Sequence, residues 1–272
     1  MTGHLLPLGG EESWTGGVVS EWSTCLLAPN PSAWTLEGTN TWLVAAPGSG
    51  DVIVIDPGPD AVAHLDRIVA MVSERGAIAQ ILLTHGHADH SAGARTLSAM
   101  TGAPVRALDP GFVHGGEGLH AGEVVAFGDL EIAVISSPGH SADSLSFRVN
   151  GDSAVLTGDT VLGRGTTVIA WPEGRLGDYL TTLDSLAETV QVHKITCIYP
   201  GHGPLVTDPA TRISDYIRHR AERLTAVREA LDSGARNADD VVAVVYAQTP
   251  QELLGAARLS VQAQLDYLRL PQ

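Results

Sequence analysis

Long apolar runs are missing from this chain of 272 residues, and cysteine is scarce. No run approaches the ~20 residues that a bilayer-spanning helix needs, so we expect no membrane association. The opening stretch, MTGHLLPLGGEES, lacks the basic start and the apolar core of a signal peptide. The two cysteines, Cys25 and Cys197, are far apart in sequence and are interpreted as buried free thiols. These absences predict a cytoplasmic protein without a disulfide framework.

Basic residues are also few, with 16 Lys and Arg against 31 Asp and Glu and a net charge of −15. This balance argues against a nonspecific nucleic-acid surface, which needs an excess of positive charge. Bound divalent cations would offset part of the negative charge. The length fits one large domain, or one domain with a small appendage, at about 150 residues per domain.

The first half of the sequence alternates apolar strands with helices. Strands are predicted in TNTWLVAA, in DVIVID (51–56) and in QILLT. A helix capped by Asp60 is expected to run to about Arg75, and a second from Ser91 to Thr101. His64, on the first helix, is expected to be solvated. The strand–helix rhythm implies parallel strands joined by right-handed crossovers.

The second half changes character. The segments EVVAF, LEIAVIS, SLSFRV and SAVLTGD predict a meander of short strands separated by turns. A helix over about 178–193 and a strand in TCIYPGHG follow, and helices are expected over 209–233, 239–247 and 250–268. The fold class is therefore a mixed α/β (α+β) architecture.

Histidine and aspartate cluster directly after four of the predicted strands. The stretch ILLTHGHADHSAGA contains four of these residues, and three more follow later strands. Sheets of this kind place their sites at the carboxyl ends of strands, where loops converge on a rigid frame. The candidate metal ligands are His85, His87, Asp89, His90, His140, Asp159 and His202.

The chemistry of these residues favours a metal site. Imidazoles this close repel one another when protonated, whereas a metal keeps them neutral and uses their lone pairs. Seven ligands oversupply one four-coordinate zinc, but two metals about 3.5–4 Å apart that share a carboxylate use them all. His and Asp ligands suit Zn²⁺ without excluding Mn²⁺ or Fe.

The pattern THxHxDH with three downstream ligands resembles the metallo-β-lactamase superfamily from roughly 35 to 203. The resemblance implies an αββα sandwich with two metals at one edge. It assigns His85, His87 and His140 to one metal, Asp89, His90 and His202 to the other, and Asp159 to both. It further implies hydrolysis by a metal-bridging hydroxide, with Asp89 as the catalytic residue that orients the hydroxide or accepts its proton.

A closer resemblance is to the beta-lactamase-like protein 2 family, which includes an endoribonuclease. It is carried by NPSAWTLEGTNTWLV, GDTVLGRGTTVIAWPEGRLGDYLTTL and YPGHGPLVTDPATRISDYIRHR. That family carries a C-terminal winged-helix-like appendage. We therefore expect a catalytic domain over 1–208 and a helical appendage over 209–272, which ends where a β-hairpin wing would follow.

Three residues outside the ligand set are predicted to bind substrate. Arg164, in the loop after Asp159, could hold a phosphate or carboxylate, or could simply face solvent. His219 belongs to a basic strip on a predicted helix, and the alternative is an ion-paired surface. Asn40, in TLEGTNT, could line the rim of the metal site, or could belong to a turn before an inner strand.

Several functions stay open on the sequence. The first hypothesis is a dinuclear metal hydrolase of phosphodiester (RNA-like) substrates, and the second is a thioester hydrolase of the hydroxyacylglutathione-hydrolase type. A β-lactamase or a non-catalytic metal-binding protein fits less well. The expected partner is a small molecule or a single-stranded nucleic acid, and homo-oligomerisation stays open. The metal site indicates the type of reaction but not the bond that is cleaved.

Overall fold

The structure is a computed structural model that describes residues 13–269. The expectations about the N-terminal leader lie mostly outside these residues. The strands are β1 (Gly16–Val18), β2 (Ser23–Leu27), β3 (Asn40–Val44), β4 (Asp51–Ile55), β5 (Ala77–Leu82), β6 (Val105–Arg106), β7 (Val124–Phe127), β8 (Leu130–Ser136), β9 (Leu145–Val149), β10 (Ala154–Gly158) and β11 (Cys197–Pro200). The helices are α1 (Val62–Ser73), α2 (Ala88–Ser91), α3 (Ala94–Thr101), α4 (Leu176–His193), α5 (Pro209–Asp232), α6 (Ala238–Val245) and α7 (Leu254–Arg269), with short 3₁₀ turns at Pro110–Phe112 and Gln251–Leu253.

The strands form two mixed sheets. The first is 6-stranded in the order β1-β2-β3-β4-β5-β6, and the second is 5-stranded in the order β11-β10-β9-β8-β7. The predicted parallel strands are confirmed, because β4 pairs parallel with β5 and β5 with β6. The predicted meander is confirmed in the antiparallel pairs from β7 to β10, and β11 pairs parallel with β10. The short strands β1 and β2 were not predicted.

Alternating side chains of the inner strands pack on opposite faces of the first sheet. In β4, Ile53 and Ile55 face the second sheet, whereas Val52 and Val54 face the outer helices α1 and α3. Burial on both faces explains the uninterrupted apolar run of this strand. Helices α4, α5 and α7 cover the other face of the second sheet. The layers are therefore α, β, β, α, and the predicted sandwich is confirmed.

Two expectations about helix α1 are wrong. The helix starts after Ala61, and no side chain caps it. His64 is fully buried, and its Nε2 lies 2.9 Å from Oγ1 of Thr41 on β3. The physical reason is that His64 lies one turn before buried Ile68, on the face that packs against the sheet.

The second predicted helix is split into α2 and α3. The chain breaks at Gly93, whose amide donates to the carbonyl of Gly58 at 2.9 Å. A Cβ at this position would lie 2.9 Å from Cδ2 of Leu65 and 3.0 Å from the carbonyl oxygen of Pro59. The close approach of the α1 segment therefore requires glycine there and separates the two helices. Among residues 13–269, no helix is long and apolar enough to span a membrane.

Candidate metal centre

The carboxyl ends of strands from both sheets meet at one edge of the sandwich. Strands β4 and β5 run parallel in the first sheet, and β8, β10 and β11 share one direction in the second. The loops that follow these strands carry all the candidate ligands to the same place. The candidate ligand atoms converge as a result, and those of three residue groups each lie within 4.8 Å of one another.

His85, His87 and His140 form the first group, which we call the three-histidine group. Nδ1 of His87 lies 3.0 Å from Nε2 of His85 and 2.9 Å from Nε2 of His140. Ligand nitrogens around a tetrahedral Zn²⁺ with Zn–N bonds of about 2.0–2.1 Å are themselves ~3.3 Å apart. The three nitrogens are therefore close to the spacing that one shared cation would impose.

In His85 and His140, the other ring nitrogen, Nδ1, is hydrogen-bonded within the protein, which leaves the lone pair of Nε2 free to bind a cation. Nδ1 of His140 lies 2.7 Å from the carbonyl oxygen of Val168, which can only accept, so this nitrogen carries the proton. Nδ1 of His85 lies 3.0 Å from Oγ1 of Thr84, whose hydroxyl donates to Asp56 at 2.6 Å. Both rings therefore present an unprotonated Nε2 to the site, as metal-binding histidines do.

Asp89, His90 and His202 form the second group, which we call the aspartate–histidine group. Nε2 of His202 lies 3.2 Å from Nε2 of His90 and 3.2 Å from Oδ2 of Asp89, and the third separation is 3.6 Å. Nδ1 of His202 donates to the carbonyl of Gly38 at 3.2 Å, which turns Nε2 toward the site. Asp89 is the more open ligand, with 32% of its side chain exposed.

Asp159 lies between the two groups. Its carboxylate oxygens are 3.4 Å from Nε2 of His90, 3.4 Å from Nε2 of His202 and 3.7 Å from Nε2 of His140. Oδ1 is buried and makes no hydrogen bond within residues 13–269. Buried carboxylate oxygens are costly without a partner, so this free oxygen fits a cation held between the two groups.

The two groups also differ electrostatically. Burial, together with the nearby His90 and His140, holds the pKa of His85 well below its ordinary value. Burial acts in the same way on His140 and lowers its pKa. His85 and His140 are therefore largely uncharged near neutral pH before any cation binds.

In and beside the aspartate–histidine group, burial disfavours the charged forms of the histidines and of Asp159, but the opposite charges next to them have a larger effect on their pKa values. Burial would lower the pKa of His202, yet the Asp159 carboxylate raises it to about 9. The pKa of His90 is raised well above its ordinary value by Asp159 and Asp56 against the same burial. Burial would raise the pKa of Asp159, but His202 and His90 hold it well below its usual range. Binding a cation here would displace protons from these imidazoles.

Asp56 is a hydrogen-bond partner of a candidate ligand that the sequence interpretation missed. Its Oδ2 lies 2.8 Å from Nδ1 of His90, and its carboxylate also accepts from the amide and hydroxyl of Thr84 at 2.8 and 2.6 Å. It adopts a left-handed φ of 52°, which Asp tolerates better than most residues. The sequence shows only that Asp56 follows an apolar strand, and its approach to His90 depends on the pairing of β4 with β5.

Asn40 is buried, and the fold uses its hydrogen-bonding groups. Its amide donates to the carbonyls of Pro200 and Gly203 at 3.0 and 2.9 Å, and its Oδ1 accepts from Nε1 of Trp14 at 2.7 Å. The loop that carries His202 is therefore tied to strand β3. This placement favours a role in positioning His202, and substrate contact by Asn40 stays a prediction.

The other two predicted substrate contacts are also engaged within the protein. Arg164 forms an ion pair with Glu37, and both side chains are mostly buried. His219 is buried on α5, and its Nε2 lies 3.4 Å from Nε of Arg223. Burial, with Arg220 and Arg223 nearby, lowers the pKa of His219 to about 3, so its ring is neutral. Substrate binding by either residue stays a prediction.

An αββα sandwich that gathers histidine and aspartate at one edge defines the class of metallo-hydrolases to which this protein is assigned. The family model of the metallo-beta-lactamase superfamily matches residues 34–202. The chain therefore belongs to the metallo-beta-lactamase superfamily and is a hydrolase of that superfamily. The family model of the beta-lactamase associated winged helix domain matches residues 238–269, which contain α6 and α7.

Relatives match over most of the chain. A beta-lactamase-like protein 2 homolog from Drosophila melanogaster is 32% identical over 266 residues, which cover 89% of this chain and 86% of that protein. A homolog of the same name from Caenorhabditis elegans is 29% identical over 259 residues, covering 92% and 85%. The crystal structure of a beta-lactamase domain protein from Burkholderia ambifaria matches the fold with a TM-score of 0.77 at 21% identity, covering 93% of this chain and 88% of that one. The division into domains at 208/209 stays a prediction.

Proposed function

We propose that the protein is a dinuclear metal-dependent hydrolase that cleaves phosphodiester bonds in RNA-like substrates. The observation that carries the proposal is the pair of three-residue groups facing each other across Asp159. The three-histidine group would hold one cation, the aspartate–histidine group the other, and Asp159 both. The ligand set suits Zn²⁺, with Mn²⁺ or Fe as alternatives.

Two bound cations would polarise the scissile group and make water a competent nucleophile near neutral pH. The chain supplies the positioning for this chemistry. Asp89 is the catalytic residue of the proposal, because its partly exposed carboxylate lies at the open side and can take up a proton from the attacking water. Burial would raise the pKa of Asp89, but the hydrogen bond from His202 lowers it, so the carboxylate is ionised and able to accept.

Exposed aromatic side chains in the loops that contact the candidate ligands support a substrate with planar bases. The ring of Phe112 packs on Gly86, between two ligands of the three-histidine group. Trp171 lies in the loop that carries Val168, and Trp34 in the loop that carries Gly38. All three residues are at least 36% exposed although they are large and apolar. Aromatic faces of this kind stack nucleobases without regard to sequence.

The test is a parallel activity screen on metal-loaded protein. The substrates are a single-stranded RNA, a chromogenic phosphodiester, S-lactoylglutathione and a cephalosporin, each assayed with and without a chelator. We expect RNA and phosphodiester cleavage that disappears with chelator and returns with Zn²⁺. Turnover of the thioester alone would support the thioester hydrolase and overturn the phosphodiester proposal.

A variant pair tests the site itself. Asp159→Asn is expected to lower both the metal content and the turnover number. The matched control Asp129→Asn changes an exposed acid in the turn between β7 and β8, and should behave as the wild type. Full hydrolytic activity in Asp159→Asn would contradict the assignment of Asp159 to both cations.

A further inference from the structure

Helix α5 lies in the C-terminal part of the chain and carries none of the candidate metal ligands. Two of its arginines nevertheless donate hydrogen bonds to backbone carbonyls in the loop over residues 160–169. Arg212 donates to the carbonyl oxygens of Leu162 and Gly165 at 3.1 and 2.9 Å. Arg220 donates to the carbonyl oxygen of Thr167 at 2.7 Å. The loop therefore takes its conformation from the helix beneath it as well as from strand β10.

Of these two arginines, Arg220 is the more completely buried. Only 3% of the residue is exposed, and its guanidinium carbon lies 5.0 Å above the ring of Tyr179. The hydroxyl of Tyr179 donates to the carbonyl of Thr160 at 2.6 Å, so the same pair holds the loop at two points. Among the ion pairs of the described residues, none includes Arg220. Its buried charge is therefore spread over a carbonyl dipole and an aromatic face.

The carbonyl that Arg220 holds is next to the groups that orient His140. Nδ1 of His140 lies 2.7 Å from the carbonyl oxygen of Val168 and 3.1 Å from Oγ1 of Thr167. The hydroxyl belongs to Thr167 itself, whose carbonyl Arg220 binds, and the Val168 carbonyl belongs to the next peptide unit along the chain. A displacement of that carbonyl would move both acceptors and turn the imidazole away from the three-histidine group.

We infer that Arg220 is a positioning residue for His140. By binding the Thr167 carbonyl, it fixes the two acceptors in the loop that hold Nδ1 of His140, so that Nε2 points toward His85 and His87. The inference rests on the proposed function, because it takes the three-histidine group to bind a cation. It gives α5 a part in the site that is distinct from substrate binding, and it applies to one half of the site only.

Arg223 offers a matched control on the same helix. Its guanidinium carbon lies 5.2 Å above the ring of Tyr246, and its Nη1 lies 3.5 Å from the carbonyl oxygen of Val245. The chemistry resembles that of Arg220, but Arg223 contacts the end of α6 and His219 on its own helix, and not the loop. Arg220→Met and Arg223→Met therefore remove equivalent groups, and only the first releases the loop.

The experiment is a two-step Zn²⁺ titration against a competing chromogenic chelator. His140→Ala and His202→Ala identify which step belongs to which group. We expect Arg220→Met to weaken the three-histidine step about tenfold, since loss of the partners that orient a ligand costs 10–100-fold in metal affinity. The aspartate–histidine step should stay within about twofold, as should both steps in Arg223→Met. Arg220→Lys, which keeps a donor without the planar fork, should fall between them.

A second measurement reads the orientation of His140 without any metal. The Nδ1–H proton of His140 should give a protected low-field NMR signal in the wild type and in Arg223→Met, and should lose that protection in Arg220→Met. Unchanged affinity at the three-histidine step, or an unchanged signal, would overturn the inference. If Arg220→Met does not fold, the same two measurements on Arg220→Lys decide. A wild type that binds no metal would instead refute the proposed function, and the NMR signal would still decide the role of Arg220.

Discussion

The carboxylate of Asp56, at the end of strand β4, lies 2.8 Å from Nδ1 of His90, which follows strand β5. The contact joins two neighbouring parallel strands at the edge where the candidate ligands meet. It sets which nitrogen of His90 faces the site, because Nδ1 is engaged and Nε2 remains for the aspartate–histidine group. Asp56 thus acts on the site through His90, without belonging to the candidate ligand set.

Asp56→Asn should therefore impair metal binding with little effect on the fold elsewhere. We expect a loss of about 10–100-fold in affinity at the aspartate–histidine step, because the amide no longer favours the correct orientation and charge of His90. Zn²⁺ titration measures it. Asp51→Asn is the control, since Asp51 is exposed at the opposite end of the same strand. Equal affinities in the two variants would contradict the role of Asp56.

Gly201→Ala should damage the site although it changes no candidate ligand. A Cβ at Gly201 would lie 2.4 Å from Oδ1 of Asp159 and 2.8 Å from Cε1 of His90. The crowding would cost about 1–3 kcal/mol and would displace the shared carboxylate. Metal content and turnover should both fall. Gly255→Ala in α7 meets no atom within 4 Å and should match the wild type in both measurements.

Variants of the ion pair between Arg164 and Glu37 distinguish a structural role of Arg164 from a role in substrate binding. Arg164→Met would leave a mostly buried carboxylate without its partner and should destabilise the protein by up to about 3 kcal/mol in urea unfolding. The double variant Arg164→Met/Glu37→Met should recover most of that loss and keep a KM near the wild-type value. A KM that stays several-fold higher in the double variant would instead support substrate contact by Arg164.

His64 should make the protein less stable in mild acid. Burial, with a smaller effect from Arg67, lowers the pKa of His64 to about 4. Between this value and an unfolded pKa of about 6.5, the unfolded state binds the additional proton, so stability is full above pH 6.5 and is lost as the pH falls. The loss at pH 5 should be about 2 kcal/mol.

His64→Gln removes this titration and keeps a group that can bond to Thr41. The difference in unfolding free energy between the variant and the wild type, measured in urea at pH 7 and at pH 5, should shift by that amount in favour of the variant. Parallel pH profiles for the two proteins would show that His64 does not carry the effect.

The sequence was sufficient for the parts of the site that follow local rules. His85, His87, Asp89 and His90 are predictable because three imidazoles and a carboxylate after an apolar strand have few uses other than metal binding. His140, Asp159 and His202 each follow a strand, and β8, β10 and β11 share one direction because β9 runs antiparallel between β8 and β10.

Other features depend on partners that are distant in sequence. Asp56 looks like an ordinary strand end until β4 is placed beside β5. Arg220 looks like one member of a basic surface strip until α5 is seen packed over Tyr179. The burial of His64 depends on the strand it faces, although its place one turn before Ile68 was a usable signal. Strand β1 has three residues and pairs with β2, which pairs in turn with β3, so both strands depend on pairing rather than on a local pattern.

The two sheets contribute ligands to the same centre. The loop after β5 belongs to the first sheet, whereas Asp159 and His202 extend from β10 and β11 of the second. A cation bound by residues from both sheets would cross-link the two sheets at the open edge of the sandwich, and it would bind only while the sheets are packed together. At a free metal concentration one hundred times Kd, binding of this cation would add about 2.7 kcal/mol to the free energy of unfolding. Metal supply would then govern how long the folded chain survives heat and proteases, as well as whether it can turn over substrate.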